Sequence, residues 1–286
     1  MEEMTYNDEM LPDEFRVICP REEPPKPFYR KPWFWILMAA ALLAVGVVLA
    51  LLLRHSNSAV TDSMPLPPAE TTAVVEQHDG PATVCVRDTS INDVPLRILT
   101  PVNARAELMI GKPDTLDKSI ILAAQAADIR ADNQKIVGAF VLKGEPVSWG
   151  KAKTGFCAIV ENRIYVGTAE NTPLFEETTE KNGYFFRQYP LVSQGKMVEN
   201  KPKNKALRHS LCELDGQIVV VSSLTKESFH DFAQALEDLG VQEAIYLVGG
   251  QSFGFCRLAD DSLSVWGAFE GQQNNEYTNF ILWRAQ

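Results

Sequence analysis

"QIVVVSSLTKESFHDFAQALEDLGVQEAIYLVGGQS", Gln217 to Ser252, reads as strand, helix and strand. Its middle places Phe229, Phe232, Ala233, Leu236 and Leu239 at three- and four-residue steps, so they share one helix face. Ser223 or Thr225 is positioned to cap the helix start, and Gly240 offers a left-handed stop. A right-handed crossover would set "QIVVVSS" and "AIYLV" in one sheet. Gly249-Gly250 then stands at the carboxyl end of a strand, where α/β sheets tend to take ligands. The two glycines present side-chain-free N–H groups suited to an anion, and the Ser252 hydroxyl follows. A plain tight turn is the alternative.

Working outward, Asp215-Gly216 marks a tight hairpin between "HSLCEL" and "QIVVVSS". The runs "TVCVRD", "VPLRILT", "RAELMIG", "KIVGAFVL", "GFCAIV", "RIYVG", "GYFFRQYPLV", "SLSVWGAF" and "NFILWRA" read as further strands. "DKSIILAAQAADIR" lacks Gly and Pro, is alanine-rich and is apolar nearly all round, which predicts an interior helix lying on a sheet. "TPLFEETTEK" is a shorter helix candidate, with Pro173 at its first position. The expected fold class is α+β: a mixed β-sheet domain over 81–286 with two packed helices, preceded by one transmembrane helix.

That transmembrane helix rests on Trp33 to Leu53, a run of 21 residues without a charge. Such a helix crosses roughly 30 Å of hydrocarbon. It is too long for a signal-peptide core, and no small-residue cleavage site follows closely. Arg16, Arg21, Lys26, Arg30 and Lys31 precede the run, whereas Arg54 alone follows closely. The basic-residue rule therefore keeps the N-terminus in the cytoplasm and puts the C-terminal domain outside it. Residues 1–32 are charged and proline-broken and read as a disordered cytosolic tail; 54–80 reads as a linker.

The chain carries a formal charge of −10, and no basic stripe invites nucleic acid. Of five cysteines, Cys85, Cys157, Cys212 and Cys256 fall on the translocated side, where pairing is permitted. Buried free thiols are an equal reading for Cys157 and Cys212, which sit in apolar runs. With no CxxC and no close Cys/His cluster, neither a metal nor a cofactor is expected.

From "KNKALRHSLCELDGQIVVVSS" through "ESFHDFAQALEDLGVQEAIYLVGGQS" the chain resembles the phosphodiester glycosidase family. That family's pattern opens a strand with Arg-Thr/Ser-Ala, continues through a hairpin and a helix ending Leu-Gly, and closes on Asn-Leu-Asp-Gly-Gly-Gly-Ser. Arg208, Leu239-Gly240, Leu247, Gly249, Gly250 and Ser252 match it. Tyr246 stands for the asparagine, Val248 for the aspartate and Gln251 for the third glycine, while Val137 replaces the asparagine of an earlier turn. The resemblance implies hydrolysis of glycosyl phosphodiesters, a reaction that needs charge stabilisation and proton management. Valine supplies neither.

Candidate ligand-binding residues are Arg208, whose guanidinium suits a phosphate, with Gly249, Gly250 and Ser252. His209 is the candidate acid–base group. Alternation puts His209 with Leu211 on one strand face and Arg208 with Ser210 and Cys212 on the other, so an inward hydrogen-bonded histidine is the competing reading. Tyr184 or Tyr189 could form a sugar platform, though both suit a strand core. The expectation is a membrane-anchored, extracytoplasmic (periplasmic) glycosidase-like protein of the cell envelope. Its catalysis is impaired at Val248, and its ligand is a glycan or glycosyl phosphate. The alternative is a non-catalytic module binding a glycan or a protein.

Overall fold

A computed structural model describes the backbone of 70–74 and residues 80–269 and 276–285 in full. In chain order its strands are β1 (Glu70–Val74), β2 (Thr83–Ile91), β3 (Val94–Val102), β4 (Ala104–Ile110), β5 (Ile120–Gln125), β6 (Phe140–Leu142), β7 (Glu145–Ser148), β8 (Gly155–Val160), β9 (Arg163–Thr168), β10 (Tyr184–Gln188), β11 (Pro190–Ser193), β12 (Lys196–Met197), β13 (His209–Leu214), β14 (Gln217–Ser223), β15 (Glu243–Leu247), β16 (Gly254–Arg257), β17 (Leu263–Trp266) and β18 (Asn279–Ala285). Two helices join them, α1 (Leu174–Glu180) and α2 (Phe229–Asp238).

The strands form three sheets, ordered β1-β9-β8-β10-β6-β7, β12-β11-β15-β13-β14-β3-β2 and β17-β16-β5-β18-β4. Every neighbouring pair is antiparallel. One core joins all three sheets through Leu122, Phe140, Val166, Leu211, Ile245 and Ile281. Helix α2 covers the outer face of the seven-stranded sheet, burying Phe229, Phe232 and Leu236 against Cys212, Val219 and Ala244. Helix α1 lies over Phe156 and Phe185 of the six-stranded sheet.

The α+β expectation is therefore corrected: the described domain is mainly β, and its sheets are antiparallel rather than mixed. The run that decides this is "DKSIILAAQAADIR", whose centre is β5. All six β5 residues are buried because it is a central strand with packing on both faces, Leu122 and Ala124 on one side and Ile120 and Ala123 on the other. A strand covered on both faces loses its polar alternation and reads like an interior helix. No helix among the described residues is long and apolar enough to cross a membrane; the apolar run Trp33–Leu53 lies outside them, as does the tail before it.

Of the other local readings, some hold and some shift. The Asp215-Gly216 turn has positive φ at both residues (52° and 75°), as a two-residue hairpin requires, and pairs Leu214 with Gln217. Strands β14 and β15 do share a sheet, with β13 between them. Helix α2 is capped not by Ser223 or Thr225 but by Ser228, whose Oγ accepts from Asp231 N at 3.0 Å. The chain stays extended that far because Glu227 bridges to Ala206. "GYFFRQYPLV" breaks at Tyr189, where the chain leaves one sheet for the next. Cys85, Cys157, Cys212 and Cys256 are all free thiols. Burial pushes the Cys212 thiol up to about 12.

Candidate functional site

Strand β15 delivers Gly249-Gly250 to a tight turn whose amides are both occupied. Gly249 N donates to the Tyr246 hydroxyl at 2.9 Å, and Gly250 N donates to Leu207 O at 2.8 Å. A Cβ at Gly249 would lie 2.3 Å from Leu207 O and 2.6 Å from the Tyr246 hydroxyl. Close backbone approach thus explains this glycine. Gly250 has open space but φ +71°, so its need is conformational. Ser252 Oγ donates to Val248 O at 2.5 Å, and Val248 N donates across to Gln125 O at 3.1 Å. The turn is closed on itself.

Arg208 immediately precedes β13 and His209 begins it, and the two side chains point to opposite faces, as their alternation predicts. The Arg208 guanidinium lies 4.2 Å from the Phe229 ring centre on the α2 side and 5.8 Å from that of Tyr246. Its Nε donates to Glu227 O at 2.9 Å, and its Nη2 donates to Asn204 O. The arginine ties the chain before β13 to the start of α2. His209 faces the core: Nδ1 lies 2.7 Å from Ser222 Oγ, and its ring sits 5.8 Å from Trp266. Nε2 is buried with no partner among the described residues. Burial pulls the imidazole pKa down to about 4, so it is neutral near pH 7. Arg208, Tyr246 and Gly249 therefore do gather in one place, but with each other as partners, and His209 lies across the sheet from them.

A second polar cluster, absent from the sequence reading, sits where the three sheets meet. The Lys153 side chain is buried, and its backbone is left-handed (φ 68°), a strained conformation for a side-chain-bearing residue. Its ammonium pairs with the Asp128 carboxylate, reaches Gln188 Oε1 at 2.9 Å and lies 4.4 Å from the Tyr189 ring centre. Gln188 is fully buried and holds Ala126 O through Nε2 at 3.3 Å. Burial lowers the Lys153 pKa, and Asp128 opposes that shift. Burial raises the Tyr246 pKa, with Arg208 opposing the shift and the Asp128 charge adding to it. Of the two tyrosines considered as platforms, Tyr189 joins the cluster and Tyr184 is core. Nothing in spacing signals a pair made from Asp128 and Lys153, which only folding brings together.

The third feature is a cavity of about 240 Å³ on the outer face of the six-stranded sheet, beside α1. Trp149, 69% exposed, and Phe175 give it apolar surface, and Lys151, Glu170, Asn171 and Glu176 surround it. Arg187 lies buried in its wall, bonded to Ala169 O at 2.7 Å and Glu170 O at 3.0 Å. An aromatic face with polar heads around it accommodates a ring bearing hydroxyl groups.

No family model and no curated protein matches the chain. Among solved structures it is similar to the zebrafish N-acetylglucosamine-1-phosphodiester alpha-N-acetylglucosaminidase catalytic domain auto-inhibited by its pro-peptide. The likeness has 11% identity and a TM-score of 0.54 over 76% of this chain and 88% of that one. A hypothetical protein from Synechocystis aligns at 14% identity and TM-score 0.46, over 71% of this chain and 62% of that one. The first likeness shows a distant relationship of fold: the domain is phosphodiester glycosidase-like in architecture.

Proposed function

We propose that this domain is a non-catalytic glycan-binding module on a glycosidase-like fold, held outside the cytoplasmic membrane by the run Trp33–Leu53. One observation carries the loss of catalysis. The groups expected to hold a phosphate, Arg208 and the Gly249 and Gly250 amides, are hydrogen-bonded internally, and Val248 stands in the acid position. The glycan part is supported by the structural likeness to an enzyme acting on an N-acetylglucosamine phosphodiester. The cavity beside Trp149 supports it further, because its polar groups suit hydroxyls.

The test combines two assays on the full-length chain: hydrolysis of an N-acetylglucosamine-1-phosphodiester, and titration with N-acetylglucosamine followed by tryptophan fluorescence. No turnover is expected, together with saturable binding weakened roughly tenfold, about 1.4 kcal/mol, by Trp149→Ala. Turnover lost in Lys153→Met would replace this reading with a hydrolase using the Asp128–Lys153 pair. Failure to bind would remove the glycan ligand.

A further inference from the structure

Strands β13 and β15 lie side by side, and at the end remote from Gly249 their register sets Glu213 opposite Glu243. Both are buried, at 4% and 1% exposure. Each carboxylate keeps one oxygen on a main-chain amide. Glu213 Oε1 accepts from Gly216 N at 2.8 Å, and Glu243 Oε1 accepts from Gln194 N at 2.8 Å and from Ser193 Oγ at 3.4 Å. The other oxygen, Oε2, is buried and unpartnered in both.

No counter-charge reaches them among the described residues. On the same face stand Leu211, Ile245 and Val220, with Ile164 and Val166 of β9 in the same apolar core. Ile218 of β14 is the partner across from Glu213. Arg163 falls on the alternate, exposed face of β9. Lys196, the cation of the neighbouring β12, is paired with Glu237 at 3.0 Å. Asp215 in the hairpin turn adds only negative charge and is exposed.

Two ionised carboxylates without a cation in an apolar setting are strongly disfavoured, so something positive must accompany them. A metal ion is poorly served: calcium takes six to eight oxygens and magnesium near-octahedral ones. No third acidic, cysteine or histidine residue among the described residues completes such a set. The remaining candidate is a proton. We propose that Glu243 carries the proton that lets it face Glu213 in this apolar setting, and that its loss with rising pH makes the edge formed by β11, β15 and the β13–β14 turn a pH-sensitive latch.

Burial raises the Glu243 pKa to about 7; the bonds from Gln194 and Ser193 oppose the shift and the Glu213 charge adds to it. Because this value lies above the usual 4.5, the folded state holds the proton more tightly than the unfolded chain. The latch contributes fully below about pH 4.5 and is lost as pH rises through about 7.

Thermal melting of the full-length chain between pH 5 and 8.5 tests the proposal. The wild-type Tm should fall with rising pH over this window. Glu243→Gln should flatten that fall and match or exceed wild type at pH 8.5, while Glu213→Gln, which removes the neighbouring negative charge, should move its midpoint to lower pH; a midpoint left unmoved or raised overturns the pairing of the two carboxyls. An unchanged slope in both variants overturns the proposal, as does a wild-type Tm raised by calcium or lowered by chelator. Hydrogen exchange in the wild type gives a reading independent of variant folding. Protection of the Gln194 and Gly216 amides, corrected for intrinsic rate, should drop as pH passes 7, and constant protection overturns the latch.

Discussion

The two ends of the β13–β15 pair differ in one respect that decides what each can do. At the glycine end, Arg208, Tyr246, Gly249, Gly250 and Ser252 satisfy one another or nearby carbonyls, and on the opposite face the neutral His209 leaves only Nε2 unpartnered. At the far end, Glu213 and Glu243 each keep a buried oxygen without a partner. A motif is a pattern of residue types, whereas responsiveness depends on which polar atoms remain unpaired after packing. The motif residues at one end are bonded internally, whereas the end with no motif holds two facing carboxyls with unpartnered oxygens.

The largest effect expected is at Gly249. An alanine there meets Leu207 O and the Tyr246 hydroxyl far inside contact distance, so the turn must move. Loss of about 3 kcal/mol in denaturant melts is expected, against about 1 kcal/mol for Gly250→Ala, where only the positive φ is strained. Equal losses would break the distinction between the two glycines.

Acid separates the two ends in sign. His209 has a folded pKa of about 4 against the usual 6.5, so its contribution is present above pH 6.5 and lost as pH falls toward 4. That difference corresponds to about 3 kcal/mol at most. His209→Asn should flatten the melting curve on this acid side, while Glu243→Gln flattens it on the alkaline side. A His209 variant that changed only the alkaline limb would show the assignment to be misplaced.

Arg208→Ala should cost about 2 kcal/mol of stability through its two carbonyl bonds and its stacking on Phe229. Because the guanidinium is internally bonded, N-acetylglucosamine titration should be unaffected. A selective loss of ligand affinity without loss of stability would reopen the glycine end as a binding site. Trp149→Ala should be the mildest change for the fold, within about 0.5 kcal/mol, because the indole is exposed. Its effect should appear in ligand titration alone.

Legibility in the sequence followed how local the determining physics was. The Asp215-Gly216 hairpin and the α2 periodicity depend on neighbours a few residues apart, and both were readable. The alternation that separates Arg208 from His209 is equally local. Strand β5 was misread because its apolar character comes from cover on both faces, a property of the assembled sheets. The cap moved to Ser228 because the Ala206–Glu227 bridge, a tertiary contact, held the chain extended.

The sequence by itself determined the Asp215-Gly216 hairpin, the face of helix α2, which side chains of β13 share a strand face, and that valine stands where the resembled family keeps its acid. Only the tertiary structure decided that Asp128 meets Lys153, that the Gly249 and Gly250 amides are occupied, and that Glu213 faces Glu243 with no cation beside them among the described residues. The reason is physical: torsional preference and periodicity act along the chain, while charge compensation and hydrogen-bond satisfaction are settled between segments far apart in sequence.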